Sequence, residues 1–231
     1  MNIALVLSGG TGSRMGLDTP KQYISINGRP IISYCIETLV RQGEIDAIQI
    51  VAEPQWQELI LETLVMAGGR EKFRGFSNPG ENRQLSIFQG MKDIWDYASG
   101  DDLILIHDAA RPLLGAEQIT ACLQAVEGHD GVMPVLPMKD TVYYSRDRKK
   151  VSLLDRTCVF AGQAPEVFRL GPYYEANYRL LPEKIFQING STEPALLAGL
   201  DVLMIPGDEG NFKITTREDL KRFCQQKGDR T

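Results

Sequence analysis

The chain has 231 residues, and its 25 Lys and Arg against 30 Asp and Glu leave a net charge of −5, with the cations scattered along it. No basic stripe recommends a nucleic acid as partner, no apolar run reaches membrane-spanning length, and Cys35, Cys122, Cys158 and Cys224 are too widely spaced for a zinc site or a disulfide framework. The expectation is one soluble α/β domain over 1–231, opening on a core strand instead of a charged leader, with reduced thiols and a cytoplasmic setting.

The first predicted element is a buried strand at 3–7, which runs straight into Gly9-Gly10-Thr11-Gly12-Ser13-Arg14-Met15 and then Pro20-Lys21-Gln22. A strand feeding a glycine-rich turn and a cationic helix start presents backbone N–H groups to a phosphate. Arg14 and Lys21 beside those amides suit a triphosphate. Spacing excludes two familiar loops. A P-loop needs Gly, four residues and Gly-Lys-Ser/Thr, which is absent here. A dinucleotide loop needs Gly-x-Gly-x-x-Gly, but counting from Gly10 and Gly12 the third position is Met15, and glycine arrives only at Gly16. The same count disfavours a nicotinamide-dependent oxidoreductase.

Further strands are predicted at 47–52, 103–107, 131–136 and 202–205, separated by helical periodicity at 31–40, 56–67, 83–97 and 116–126. That alternation predicts a Rossmann-like, mainly parallel sheet with helices on both faces and ligands at the carboxyl ends of the strands. Within 103–107 and its continuation, His107-Asp108-Ala109-Ala110-Arg111-Pro112 puts a carboxylate at a strand's carboxyl end. Asp108 there is either a hard oxygen ligand for Mg²⁺ on nucleotide phosphates or the cap of a following helix. His107 is read as a hydrogen-bonded structural residue, because a phosphate monoester is already nucleophilic at neutral pH.

The segment 139–160 breaks the rhythm. Strands at 141–145 and 151–154 around the polar tip 146–150 make a projecting β-hairpin arm. A lone hairpin is barely stable in water, so it must lie on a second subunit or fold over its own domain. Lys213, in Asn211-Phe212-Lys213-Ile214-Thr215, is placed at the start of a late strand before the acidic helix opening Arg217-Glu218-Asp219-Leu220.

The Gly-Gly-x-Gly-x-Arg-Met run and Pro20-Lys21-Gln22 are followed in order by Asn82-Arg83-x-x-Ser86, His107-Asp108-Ala109-Ala110-Arg111-Pro112, Lys139-Asp140-Thr141, Asp155-Arg156 and Asn211-Phe212-Lys213-Ile214-Thr215. Over almost the whole chain this pattern resembles the cytidylyltransferases that act on sugar-alcohol phosphates, chiefly the 2-C-methyl-D-erythritol 4-phosphate and ribitol-5-phosphate enzymes. The resemblance implies Mg²⁺-dependent transfer of CMP from CTP to a small polyol phosphate, giving a CDP-alcohol and pyrophosphate. It also implies a homodimer in which the arm embraces the second subunit.

Carried onto this sequence, the resemblance gives catalytic roles to Arg14, Lys21 and Lys213, the last at the α-phosphate. Nucleotide contacts fall to Leu7, Ser8, Gly9, Gly10, Thr11, Gly12, Gly80, Glu81, Arg83 and Ser86, and Asp108 becomes the metal ligand and a substrate contact. Acceptor recognition falls to Arg111 and Thr192 in the main domain and to Thr141 and Arg156 on the arm, which the family uses across the subunit interface. Glu81 stands where the family often has aspartate. Ser191-Thr192-Glu193-Pro194-Ala195 replaces the usual Thr-Asp-Glu-Ala-Ser of the erythritol-phosphate enzymes, and Gly162-Gln163-Ala164-Pro165 is nearer the Gly-Gln-Thr-Pro of the ribitol-phosphate enzymes. Methylerythritol phosphate, on the route to isoprenoid precursors, is the leading acceptor, with ribitol 5-phosphate as the alternative.

Overall fold

In the computed structural model, which describes residues 1–10 and 19–228, β1 (Asn2–Leu7) is buried on both faces. Ala4 and Val6 enter one apolar cluster and Ile3 and Leu5 the other. A central strand covered by helices on both sides has no solvent face, so its sequence loses polar alternation and reads as a continuous apolar run. After a short antiparallel ribbon, β2 (Ser25–Ile26) and β3 (Arg29–Pro30), come α1 (Ile32–Arg41), β4 (Ala47–Val51), α2 (Pro54–Met66), β5 (Phe73–Ser77) and α3 (Arg83–Ile94). Next are β6 (Leu103–Asp108), α4 (Ala116–Ala125), β7 (Gly131–Pro137), and the arm formed by β8 (Val142–Tyr144) and β9 (Ser152–Leu154). The chain closes with β10 (Phe160–Gly162), β11 (Glu166–Arg169), α5 (Leu170–Tyr178), α6 (Glu193–Leu197), β12 (Val202–Pro206) and α7 (Arg217–Gln226).

The main sheet has the order β10-β7-β11-β6-β1-β4-β5, with β12 also paired to β7. β1 runs parallel to β4 and β6, and β12 parallel to β7, while β11 lies antiparallel between β6 and β7. Helices α1, α2 and α4 cover one face and α3, α5 and α6 the other. From β1 the chain moves outward to β4 and β5, then returns to build β6 on β1's opposite side. The carboxyl ends of β1 and β6 therefore flank the switch point, the crevice where sheets of this kind bind ligands. Leu7 and Asp108 face each other in register there.

The Rossmann-like sheet, its two helical layers and the projecting hairpin agree with the sequence reading. The helix expected at 56–67 begins two residues earlier because Pro54 takes its first turn, where a missing N–H costs no hydrogen bond. One expectation is corrected: Lys213 is not on a strand. Residues 211–216 cross the carboxyl ends of the sheet as irregular chain, tied by Ile214 N to Ala110 O at 2.8 Å and by Asn211 Nδ2 to Ala164 O at 2.8 Å. Running across the strand ends, the segment cannot form a ladder, but it brings its lysine over the crevice. Among the described residues no helix is long and apolar enough to cross a membrane.

Candidate active site

Two loops meet at the switch point, one leaving β1 and one leaving β5. A Cβ on Gly9 would lie 2.5 Å from Pro79 Cβ, so only glycine lets them approach this closely. A Cβ on Gly80 would come within 2.7 Å of the Leu85 carbonyl carbon and 2.9 Å of Ser86 N, both backbone atoms that cannot yield cheaply. The start of α3 is fastened beside them: Asn82 Oδ1 accepts from Leu85 N at 2.7 Å as helix cap, and Ser86 Oγ accepts from Gly80 N at 3.0 Å and donates to Asn82 O at 2.9 Å. The result is a cleft of about 440 Å³ lined by Leu7, Gly9, Gly10, Lys21, Gln22, Glu53, Gly80, Glu81, Asn82, Arg83, Ser86, Asp108, Ala110, Lys213 and Thr215.

Asp108 is the hub of its charges. Arg83 Nε donates to Oδ1 at 3.1 Å, Lys213 Nζ donates to Oδ2 at 3.0 Å, and Arg111 Nε stands 3.6 Å from Oδ2. Burial alone would raise the carboxyl's pKa. The three cations outweigh it and hold the group well below the usual carboxylate range, so Asp108 is ionised at any physiological pH. The Arg111 guanidinium also donates through Nη1 to Asn211 O at 2.8 Å, anchoring the Lys213 segment to the end of β6.

A second acid, Glu166 on β11, was not foreseen from sequence. It is buried, which pushes its carboxyl pKa up, with Arg83 and the Ser191 and Thr192 hydroxyls opposing that shift. Thr192 Oγ1 donates to Glu166 Oε1 at 2.8 Å, Ser191 Oγ donates to Oε2, and Arg83 Nη2 lies 4.0 Å from Oε2. Arg83 thus bridges two acids from strands β6 and β11. The short run Glu166–Arg169 after Pro165 carries no glycine or charge pattern that would have announced this.

His107 is fully buried, its Nε2 lies 3.0 Å from Arg111 O, and its Nδ1 has no partner among the described residues. That geometry is a neutral imidazole donating from Nε2, a structural residue as expected. Burial, the largest influence, lowers its pKa to about 4. Between the unfolded value near 6.5 and about 4 the unfolded chain binds the extra proton, so stability falls as pH drops through this window. Unfolding free energy should decrease by about 2 kcal/mol from pH 7 to 5 in the wild type. The decrease should largely vanish in His107→Gln, as denaturant titration would show; equal slopes in both proteins would contradict the assignment.

Of the residues expected at the nucleotide, Leu7, Gly9, Gly10, Lys21, Gly80, Glu81, Arg83, Ser86, Asp108 and Lys213 all line the cleft. Ser8 is buried behind it, its Oγ donating to the Tyr23 hydroxyl at 2.8 Å. Thr11, Gly12 and Arg14 lie outside the described residues. Arg111 joins the ion cluster and Thr192 the Glu166 cluster, and neither lines the cleft. Thr141 and Arg156 are exposed on and below the arm and do not line it either, Arg156 Nη1 donating instead to Lys139 O at 2.8 Å.

Comparison with known proteins gives the family. The family model described as IspD, 2-C-methyl-D-erythritol 4-phosphate cytidylyltransferase, matches residues 2–224. The chain belongs to this family. Among similar proteins, the 2-C-methyl-D-erythritol 4-phosphate cytidylyltransferase of Rubrobacter xylanophilus is 34% identical over 94% of this chain and 91% of its own. A ribitol-5-phosphate cytidylyltransferase of Streptococcus agalactiae serotype V is 31% identical over 96% of this chain and 93% of its own. The crystal structure of the 4-diphosphocytidyl-2C-methyl-D-erythritol synthase from Anaerococcus prevotii superposes with a TM-score of 0.82 at 26% identity, covering 99% of this chain and 96% of that one. As a member of the cytidylyltransferase family the chain is an enzyme, a nucleotidyltransferase that uses CTP.

Proposed function

We propose that this cytidylyltransferase transfers CMP from CTP to 2-C-methyl-D-erythritol 4-phosphate, releasing pyrophosphate. The observation that carries the reading is the convergence of Lys21, Arg83 and Lys213 on one cleft beside an ionised Asp108, between a glycine loop and the Gly80 loop. The acceptor phosphate, dianionic at neutral pH, needs alignment more than deprotonation, and buried His107 is not asked to act as a base. Its oxygen attacks the α-phosphorus in line. Lys21 and the amides of the glycine loop hold the leaving β- and γ-phosphates, with Arg14 given the same task by family resemblance. Lys213 leaves Asp108 to neutralise charge growing at the phosphorus, where a preplaced cation stabilises the transition state most. Gly80, Glu81 and Ser86 face the base end, where polar groups left unpaired by a wrong base discriminate strongly.

The site suits Mg²⁺. Asp108 offers an ionised hard oxygen in the cleft, and no group of three His, Cys, Asp or Glu side chains gathers among the described residues. Asp108 would therefore hold the ion together with phosphate oxygens and water, the usual Mg²⁺ arrangement. When bound, the ion screens phosphate charge and orients the reacting groups.

Ribitol 5-phosphate is a second possible acceptor, favoured by Thr192 being tied to Glu166 instead of presenting an aspartate. Pyrophosphate release measured with both purified acceptors decides. A higher kcat/KM with methylerythritol phosphate is expected, a preference for ribitol phosphate would reassign the acceptor, and no release with either would refute the transfer reading.

We assign the arm to a homodimer. Tyr143, Val151 and Leu153 leave 63%, 67% and 68% of their surface exposed on an element too small to be stable alone, as though covered in the working assembly. Thr141 and Arg156 would then serve the partner's acceptor, Arg156 by bidentate phosphate contact. The double variant Val151→Asp with Leu153→Asp should sediment as a monomer and lose at least about tenfold in kcat/KM for the acceptor. An unchanged sedimentation coefficient with unchanged kinetics would contradict the assignment. The free, buried thiols of Cys35, Cys122 and Cys224 fit a reducing cytoplasm.

A further inference from the structure

Gln22 has no part in the reaction outlined above, yet it is buried against the cleft wall with both amide hydrogens committed. Nε2 donates to the Ser8 carbonyl at 2.8 Å and to the Gly10 carbonyl at 2.7 Å, which uses both amide hydrogens. The two carbonyls belong to a turn whose glycines would otherwise sample many conformations. The clamp is itself held. Its neighbour Tyr23 donates from its hydroxyl to Ser8 O at 2.8 Å, accepts from Ser8 Oγ at 2.8 Å, and stacks on Trp56 with ring centroids 4.3 Å apart.

A trans peptide points its N–H opposite to its C=O, so fixing the Ser8 carbonyl also fixes the direction of the Gly9 N–H. Among the described residues nothing accepts from the N–H of Gly9 or Gly10, while Ser8 N is spent on Val51 O at 2.8 Å. The Gly9 donor is thus oriented at the edge of a cleft that also holds Lys21, with the Gly10 donor next to it, and neither has an acceptor among the described residues. Its two nearest analogues do not reproduce the Gln22 clamp. Asparagine is one methylene too short to span both carbonyls, and glutamate, though of equal size, has no hydrogens to give and sets a negative charge against two carbonyl oxygens.

We propose that Gln22 is a positioning residue for the triphosphate: it holds the Ser8–Gly10 turn, where the glycine loop begins, in a phosphate-receiving shape before nucleotide arrives. The inference rests on the reading that CTP binds this cleft with its phosphates on that loop. Ordering the loop in advance removes an entropic cost that binding would otherwise carry, so the loss on breaking the clamp should follow the phosphates and not the base.

The test compares the affinity of wild type, Gln22→Glu, Gln22→Met and Lys21→Ala for CTP with their affinity for cytidine, which has the same base and no phosphate. CTP should bind at least about tenfold more weakly to both Gln22 variants, the worth of two hydrogen bonds, while cytidine changes less than about twofold. Should Gln22→Glu fail to fold, the uncharged Gln22→Met carries the same expectation. Equal losses for CTP and cytidine would make Gln22 merely structural and overturn the inference. Lys21→Ala weakening CTP while the Gln22 variants do not would overturn it and leave the reading of the cleft intact. If Lys21→Ala also leaves CTP affinity unchanged, the phosphates are not on this loop and both fail.

Discussion

Replacing Lys213 with alanine should lower kcat by about a thousandfold while changing the affinity for CTP by less than about tenfold. The Lys213 ammonium is 3.0 Å from Asp108 Oδ2, and about a third of its side chain is exposed. It is held in reserve by a carboxylate, not locked in a closed ion pair. When phosphates enter, the lysine exchanges one anion for another and gains most when charge on the attacked phosphorus is greatest, which is the condition for raising kcat instead of tightening ground-state binding. Pre-steady-state bursts and equilibrium binding separate the two effects. A variant with near-normal kcat would remove Lys213 from the chemistry, and one that simply failed to bind CTP would make it a ground-state contact.

Asp108→Asn should cost more than its size suggests. The carboxylate is buried and receives Arg83 and Lys213, with Arg111 close by. The amide replaces one acceptor with a donor aimed at cations, and it leaves positive charge without a counter-ion in a poorly solvated crevice. Breaking a fully buried pair this way costs several kcal/mol. Because Arg83 and Lys213 are about a third exposed, water screens part of the loss, and a destabilisation of about 1–3 kcal/mol is expected. Turnover should fall by at least about a hundredfold.

The pH signature is specific. A carboxyl whose folded pKa is depressed contributes stability above its unfolded value and loses it as pH falls through the folded one. The stability gap between wild type and Asp108→Asn should stay level from pH 8 to 6 and begin to close only below about pH 4. A gap that closes near pH 6 would mean that a different group carries the effect.

What could be read from the sequence follows from what is local. Gly9 and Gly10 come one residue after the end of β1, and Asp108 is the last residue of β6, so strand-end chemistry was visible in nearby residues. The ion cluster was not, because Arg83, Lys213 and Asp108 come from segments 25 and 105 residues apart in the chain and meet only through strand order. Glu166 escaped for a similar reason. Its strand is four residues long and antiparallel, inserted between two strands whose own apolar runs gave no sign of a neighbour of opposite direction. The Lys213 segment was misassigned because Phe212-Lys213-Ile214 alternates like a strand, whereas a chain crossing strand ends has no partner to ladder with. Gln22 was in view within Pro20-Lys21-Gln22, but its function depends on two backbone carbonyls that no pattern of side chains reveals.

The most direct test of the account is a crystal structure of the protein with Mg²⁺ and a non-reactive CTP analogue. The β- and γ-phosphates should lie against Gly9, Gly10 and Lys21, the cytosine between Gly80 and Ser86, and Lys213 should have moved from Asp108 towards the α-phosphate. A nucleotide bound away from the carboxyl ends of β1 and β6, or bound there with Lys213 still on Asp108 and its phosphates turned to solvent, would contradict it.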